Sequence, residues 1–365
     1  MRIGVLGYGQ LGRMLAMSGI PLGFGFTFYD DATKSIYRTL VSSEGPALTS
    51  EEAFDRFLEE VDIVTYETEN TPAALIARVR AVKPVFPGQE ALEVTQNRIR
   101  EKTVCQSLNI PTTAFRAVHS LADCMAAGET LNYPFVLKTV TMGYDGKGQR
   151  VVYSPSDIEA AWNALKSDHL IAEAWVNFDH ECSLIAVSDK IGKKRFYPLV
   201  RNTHHEGILQ YSVVDSEHPY TVEAQKIAET LLGHFQYVGI LTIEFFVTEN
   251  GLYVNELAPR VHNSGHWSIE GAVTSQFANH VRAITGLPLG DTSLRAPQVA
   301  MVNVIGEVAD VQQILKIPGA SLHLYGKKAR SKRKLGHVTL MASDQKTLEK
   351  QLKLTCALCG AVGEI

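Results

Sequence analysis

Residues 243–266, IEFFVTENGLYVNELAPRVHNSGH, decide how this chain is read. Two apolar runs, 243–247 and 251–257, are joined through Glu249, Asn250 and Gly251, which marks a β-hairpin. Loop length then sets which side chains meet. A three-residue loop with Gly251 in the left-handed position pairs Thr248 with Leu252 and brings Glu244 directly opposite Glu256. A two-residue Asn-Gly loop would put these carboxylates on opposite faces, because a slip of one residue reverses every side chain. The three-residue register is the expectation. Two carboxylates facing each other on one sheet face repel and need a cation between them. Mg²⁺ bridging nucleotide phosphates suits such a pair. Asn255, Pro259, Arg260, His262, Asn263, Ser264, Gly265 and His266 follow within a dozen residues. Packing alone asks for no such mixture, so these residues form a candidate active-site loop.

Upstream, residues 89–108 carry the periodicity of one helix and 195–200 reads as a strand, while Lys138 lies on a predicted strand over 135–140 that the loop TMGYDGKGQ (141–149) follows. A glycine-rich cationic loop after a strand can fold over a triphosphate, with Lys138 fixed by the sheet and Lys147 carried on the loop. The GxxxxGK[ST] of a P-loop is not there. Further upstream, GYGQLGRM (7–14) sets Gly7, Gly9 and Gly12 in a GxGxxG arrangement after a strand, with Asp30 and Asp31 beyond. That pattern matches a dinucleotide fingerprint, yet its physical content is a phosphate at a helix N-terminus, whoever owns the phosphate.

The order GQLGRM, KxxxxGYDGKGQ, EFFVTENGLYVNELAPRVHNSGHW and a late RKLGHV resembles the N5-carboxyaminoimidazole ribonucleotide synthetases of the ATP-grasp superfamily over nearly the whole chain. The resemblance implies α/β and α+β architecture. A Rossmann-like domain would span 1–100 without a dinucleotide, a two-lobed ATP-grasp domain 101–295 with its lid lobe at about 110–176, and a small β-rich C-terminal domain 296–365. It implies ATP contacts from Arg98, Lys138, Gly143, Tyr144, Asp145, Gly146, Lys147, Gly148, Gln149, Glu173, Ala174, Trp175, Val176, Glu181, His204, Asn255 and Glu256. Mg²⁺ would be held by Glu244 and Glu256. Substrate contacts would come from Gly9, Gln10, Leu11, Glu69, Tyr144, Arg260, Lys327 and Lys334. Asp145, Arg260 and His262 are the catalytic candidates, with Asp145 and His262 both open as handlers of an amine proton. The sequence departs from the family pattern at Met142, where glycine is usual, and at TYETEN (65–70), where TFEFEN is usual. The implied reaction joins bicarbonate to aminoimidazole ribonucleotide at the expense of ATP, in a homodimer.

Composition sets the outer limits. The chain has 365 residues, enough for two or three domains, and a formal charge of −4, so no global field gathers nucleic-acid polymers or anionic membranes. No apolar run is long enough to span a bilayer, and the opening MRIGVLGYG reads as a strand and turn, so the cytoplasm is the expected compartment. Five scattered cysteines are expected to be free thiols, the Cys356/Cys359 pair included. Two rival readings remain. Another ATP-grasp ligase would share every nucleotide residue, whereas an NAD-dependent oxidoreductase would leave the facing carboxylates and the glycine-rich loop unexplained.

Overall fold

The computed structural model describes residues 1–30, 50–142, 148–307 and 310–363. Its first sheet is parallel, in the order Gly25–Tyr29, Arg2–Leu6, Ile63–Tyr66. The central strand is apolar and buried from Ile3 onward, as expected of a strand covered on both faces. It feeds the helix Gln10–Gly19. Leu11, Met14 and Leu15 of that helix share a core with Phe277, Val281 and Ile284 of the helix Gln276–Thr285. His280 on the latter helix bridges Thr65 of the first sheet (2.9 Å) and the amide of Ile240 (3.1 Å). The N-terminal turn is thus fixed against the elements that carry the carboxylate hairpin.

The second sheet is antiparallel, in the order Phe115–Val118, Leu170–Ala174, Phe135–Thr139, Gln149–Val152. The helices Leu121–Leu131 and Ile158–Leu165 cover it, and Val118, Phe135, Leu137, Val152 and Leu170 form a core of its own. These elements lie within 110–176, the range given above for the lid lobe.

The third sheet has nine strands among the described residues. Its main path runs Gly251–Ala258, Gly239–Thr248, His180–Ser188, Leu199–His205, Ile208–Asp215, Gln298–Ile305, Lys334–Ala342, Ala320–Leu324. Ile208–Asp215 pairs with Gln298–Ile305, so hydrogen bonding runs straight through the boundary expected at 295/296. The C-terminal residues extend the central sheet, and the helix Gln345–Cys359 packs on that extension.

Three local expectations are corrected. The single helix expected over 89–108 is two helices, Gln89–Thr95 and Arg98–Ser107. Asn97 starts the second by accepting from the amides of Ile99 and Arg100, which makes Arg98 the first residue of a helix. The strand expected over 195–200 is divided into Lys194–Phe196 and Leu199–His205. The hairpin turn is a two-residue loop of Glu249 and Asn250, because Thr248 pairs with Gly251 (φ +109°). That register, continued, would set Glu244 opposite Asn255. A β-bulge between Glu244 and Phe245 inserts one residue, so Phe245 pairs with Val254 while Glu244 pairs with Glu256. The carboxylates do face each other, but the bulge makes them do so, and the loop does not.

Candidate active site

The bulge has a second effect. In strict alternation Asn255 and Glu256 would point to opposite faces, yet both are half-buried between the buried Val254 and Leu257. An extra residue re-aims a side chain in this way. Glu244 and Glu256 are both withdrawn from water. Burial above all, reinforced by the charges of Glu256 and Glu181 and partly offset by His204, pushes the Glu244 carboxyl up to about 7. Burial also raises Glu256, with Glu69 adding to it and Arg98, Arg260 and Lys138 opposing it. No third His, Cys, Asp or Glu joins the two in a metal-holding group among the described residues. Two facing protein carboxylates fit Mg²⁺, an ion commonly held by one or two carboxylates together with water and phosphate oxygens.

Of the expected nucleotide residues, Arg98 and Lys138 act on Glu256, and Glu181 and His204 act on Glu244. Lys138 Nζ lies 2.8 Å from Glu173 Oε2, and the buried Lys102 reaches the same oxygen at 3.5 Å. Burial alone would raise Glu173, but these two ammonium groups hold its carboxyl below the usual range. Arg98 donates to the Thr139 carbonyl (3.1 Å), and Gln149 pairs with Lys138 across the second sheet. Ala174 ends a strand, with Trp175 and Val176 in the segment beyond it, and the exposed Trp175 donates to Asn177 (3.1 Å). Glu181 is one strand from the hairpin, opposite Phe246, and contacts His204. Burial opposes charge on His204, yet Glu181 wins and the imidazole is held above its usual value.

Gly143, Tyr144, Asp145, Gly146 and Lys147 lie outside the described residues. At the edges of that segment Met142 has φ +64° and Gly148 φ +72°. Met142 therefore stands, strained, in the left-handed conformation that glycine adopts freely.

Among the expected substrate residues, Arg260 is paired with Glu69, which burial would raise but Arg260 draws down. His262 Nε2 lies 3.6 Å from Glu244 Oε1, and burial together with Arg260 and Lys334 keeps the ring neutral. Lys334 begins its strand close enough to act on Glu244, His204 and His262. Lys327 sits over the Tyr325 ring at 5.5 Å and acts on Glu67.

The N-terminal turn already holds an anion of its own. Glu67 accepts from the Gly9 amide through one oxygen and from the Gly12 amide (2.6 Å) through the other. A Cβ at Gly9 would come within 2.7 Å of this carboxylate. The Gly9 amide, expected to be offered to a substrate phosphate, is engaged by Glu67 in this structure. The same carboxylate occupies the place where a dinucleotide would set its pyrophosphate.

Several site residues escaped the sequence reading. Glu101 lies behind the hairpin, accepting from the Leu257 amide (3.0 Å), and burial with the Glu256 charge pushes it up to about 8. Lys102 did leave a signal, because it follows Arg98 by four residues and so shares its helix face. Glu67 and Gln276 left none, since their partners are distant in sequence.

Family models agree with this layout in order and extent. A ribonucleotide synthetase preATP-grasp domain matches residues 1–96, an ATP-grasp domain 103–277, and a phosphoribosylaminoimidazole carboxylase C-terminal domain 299–351. The chain is 45% identical to the N5-carboxyaminoimidazole ribonucleotide synthase of Pseudomonas aeruginosa, covering 99% of this chain and all of that protein. It belongs to the N5-carboxyaminoimidazole ribonucleotide synthase family. The crystal structure of the Thermus thermophilus synthetase superposes over the full length of both chains with a TM-score of 0.93 at 42% identity. An Aspergillus clavatus synthase in complex with ADP and 5-aminoimidazole ribonucleotide superposes with a TM-score of 0.90 at 30% identity, over 99% of each chain. Within this family's layout Glu244, Glu256 and Lys138 fall in the ATP-grasp match, while Lys327 and Lys334 fall in the C-terminal match. No helix among the described residues is long and apolar enough to cross a membrane.

Proposed function

We infer that the chain carries out ATP- and bicarbonate-dependent carboxylation of 5-aminoimidazole ribonucleotide to N5-carboxyaminoimidazole ribonucleotide in purine biosynthesis. One observation supports this reading above the others: the Glu256 carboxylate, paired across the hairpin with Glu244, feels both Arg98 and Lys138, expected at the nucleotide, and Glu69 and Arg260, expected at the substrate. That arrangement supports a carboxylate pair set between a phosphoryl donor and its acceptor. The Aspergillus relative, seen with ADP and the ribonucleotide, supports the same pairing of ligands.

Bicarbonate is a poor electrophile until a phosphoryl group makes one of its oxygens a leaving group. In the proposed sequence the γ-phosphoryl group passes to bicarbonate, giving ADP and carboxyphosphate. The substrate amine then forms a C–N bond to the carboxyl carbon. The C–O bond to the phosphate group breaks with its electron pair going to phosphate, and in net balance the amine proton leaves on that phosphate. Arg98, Lys138, Gly148, Gln149, Glu173, Ala174, Trp175, Val176, Glu181, His204 and Asn255 bind the nucleotide. Gly143, Tyr144, Asp145, Gly146 and Lys147, carried by the loop, close over it and exclude water from an intermediate that water destroys. Glu244 and Glu256 would hold Mg²⁺, which when bound neutralises charge on the transferring phosphoryl group. Gln10, Leu11, Glu69, Tyr144, Arg260, Lys327 and Lys334 hold the ribonucleotide, with Arg260 oriented by Glu69. A homodimer and a cytoplasmic location complete the proposal, and light scattering of the purified chain tests the first.

The deciding assay follows ADP release and product formation with bicarbonate and ribonucleotide supplied or omitted. Release should require both, and ¹³C from bicarbonate should appear on the exocyclic nitrogen. ADP release indifferent to both additions would remove the carboxylase reading, and carboxylation of a different amine would favour another ATP-grasp ligase.

A further inference from the structure

The polar atoms of His262 are engaged on every side but one. Its amide donates to Gln276 Oε1 (2.9 Å), and its carbonyl accepts from Gln276 Nε2 (2.7 Å) and from the Gly265 amide (3.1 Å). Gln276 is fully buried, and a Cβ on Gly265 would come within 2.8 Å of its amide group, so the turn closes tightly around this side chain. In the ring, Nδ1 lies 2.9 Å from Ser264 Oγ and 3.4 Å from the Ser264 amide nitrogen. A backbone N–H can only donate, so Nδ1 presents its lone pair, and a neutral imidazole then carries its proton on Nε2.

A chain of buried groups points the same way. Ser212 Oγ donates to Asn202 Oδ1 (2.7 Å), Asn202 Nδ2 to Ser183 Oγ (3.0 Å), and Ser183 Oγ to Ser264 Oγ (2.8 Å). That leaves the Ser264 hydroxyl proton for Nδ1. Nε2 is directed at the carboxylate pair, 3.6 Å from Glu244 Oε1.

We propose that this chain and the Gln276 clamp lock His262 as its Nε2–H tautomer, so that it serves carboxylation as a hydrogen-bond donor to an oxygen of the reacting group. It does not take the amine proton, because its only free position already holds one. Ser264, Ser183 and Gln276 are positioning residues that act through the ring and touch no reacting atom. The idea rests on the carboxylation reading, but the tautomer can be measured without it.

Two-bond ¹H–¹⁵N spectra of the full chain with ¹⁵N-labelled histidine, assigned by the loss of one signal set in His262→Gln, report the tautomer directly. Nε2 should be protonated and Nδ1 bare, and the reverse pattern in the native chain overturns the proposal. Ser183→Ala leaves His262 untouched and should bring in a share of the Nδ1–H form, with kcat lower by several-fold and the KM for ATP unchanged. An unchanged tautomer in that variant removes the chain's role. In turnover, His262→Ala should lose about 10²–10³-fold, whereas His262→Gln, which keeps a neutral N–H donor and has no basic nitrogen, should stay within about tenfold of native. A folded, ATP-binding His262→Gln as inactive as His262→Ala would mean that the ring acts as a base. If the native chain forms no carboxylated product, the functional reading fails while the spectrum still decides the tautomer.

Discussion

Two sets of glutamates in this molecule are treated in opposite ways. Glu67 is withdrawn from water, which raises its carboxyl, but both its oxygens receive backbone N–H donors at the mouth of a helix, where the partial positive charge of the helix terminus also favours an anion. Glu244 and Glu256 are withdrawn from water and set opposite each other, and the nearby cations, His204 and Lys334 for Glu244 and Arg98, Arg260 and Lys138 for Glu256, offset this only in part. Burial is common to both, so burial does not mark a functional carboxylate. The difference lies in what stands opposite the carboxylate. Where backbone donors do, the carboxylate completes the structure; where a second carboxylate does, a bound cation relieves the repulsion.

The sharpest way to break this comparison is to remove charge from each set. Glu256→Gln, and separately Glu244→Gln, should leave a folded protein whose turnover falls by about 10³-fold, since a metal ligand's charge is worth several kcal/mol in phosphoryl transfer. Steady-state ADP release measures it. Turnover within a few-fold of native in both variants would show that the pair does not hold the metal.

Glu67→Gln should do the reverse. A carboxamide offers one acceptor oxygen where the carboxylate offered two, and its NH₂ faces a backbone N–H that cannot accept. The loss of stability should be roughly 2–4 kcal/mol, read from urea unfolding, with turnover of the folded protein within about tenfold of native. Gly9→Ala should destabilise as well, because its Cβ presses on the same carboxylate. A Glu67→Gln variant with native stability and turnover as low as Glu256→Gln would place Glu67 among the functional groups.

The two regions were also unequally legible in the sequence. Strand alternation, the Lys138 strand and the hairpin were readable because their signals are local: apolar period, turn residues and their spacing. The facing of Glu244 and Glu256 was expected for a reason that proved wrong, because loop length is coded in the turn but the bulge at Asn255 depends on what the neighbouring strand and the site accept. GxGxxG pointed to an anion at a helix N-terminus, and the carboxylate that meets those amides belongs to a side chain 55 residues beyond Gly12, where no spacing rule points. Glu101, Lys102, Gln276 and the serine chain behind His262 are likewise partners made by tertiary contact. The Asn97 cap, by contrast, is a local signal, an Asn before a helical run, that the expectation of one helix over 89–108 passed over.

The smallest effect concerns the unliganded protein and follows from the same contrast. Folding raises the Glu244 carboxyl from an ordinary 4.5 to about 7, so the folded chain holds that proton more tightly than the unfolded chain does. The stability this contributes is complete below the ordinary carboxyl pKa and is lost as pH rises through about 7. Glu256 and Glu101 are raised too and act with the same sign, while Glu69 and Glu173, held low by their cations, act in the opposite sense and weaken the fold only as pH falls. Glu244→Gln carries no charge to repel Glu256, so between pH 4.5 and 7 it should lose less stability than the native chain, by on the order of 1–2 kcal/mol. Thermal unfolding across that window without nucleotide checks it. Mg²⁺ with ADP should erase the difference from the native side, because the cation offsets the repulsion between the two carboxylates. Parallel pH profiles for the native chain and Glu244→Gln would mean that the two carboxylates do not repel in the folded state, and the contrast with Glu67 would then lose its physical basis.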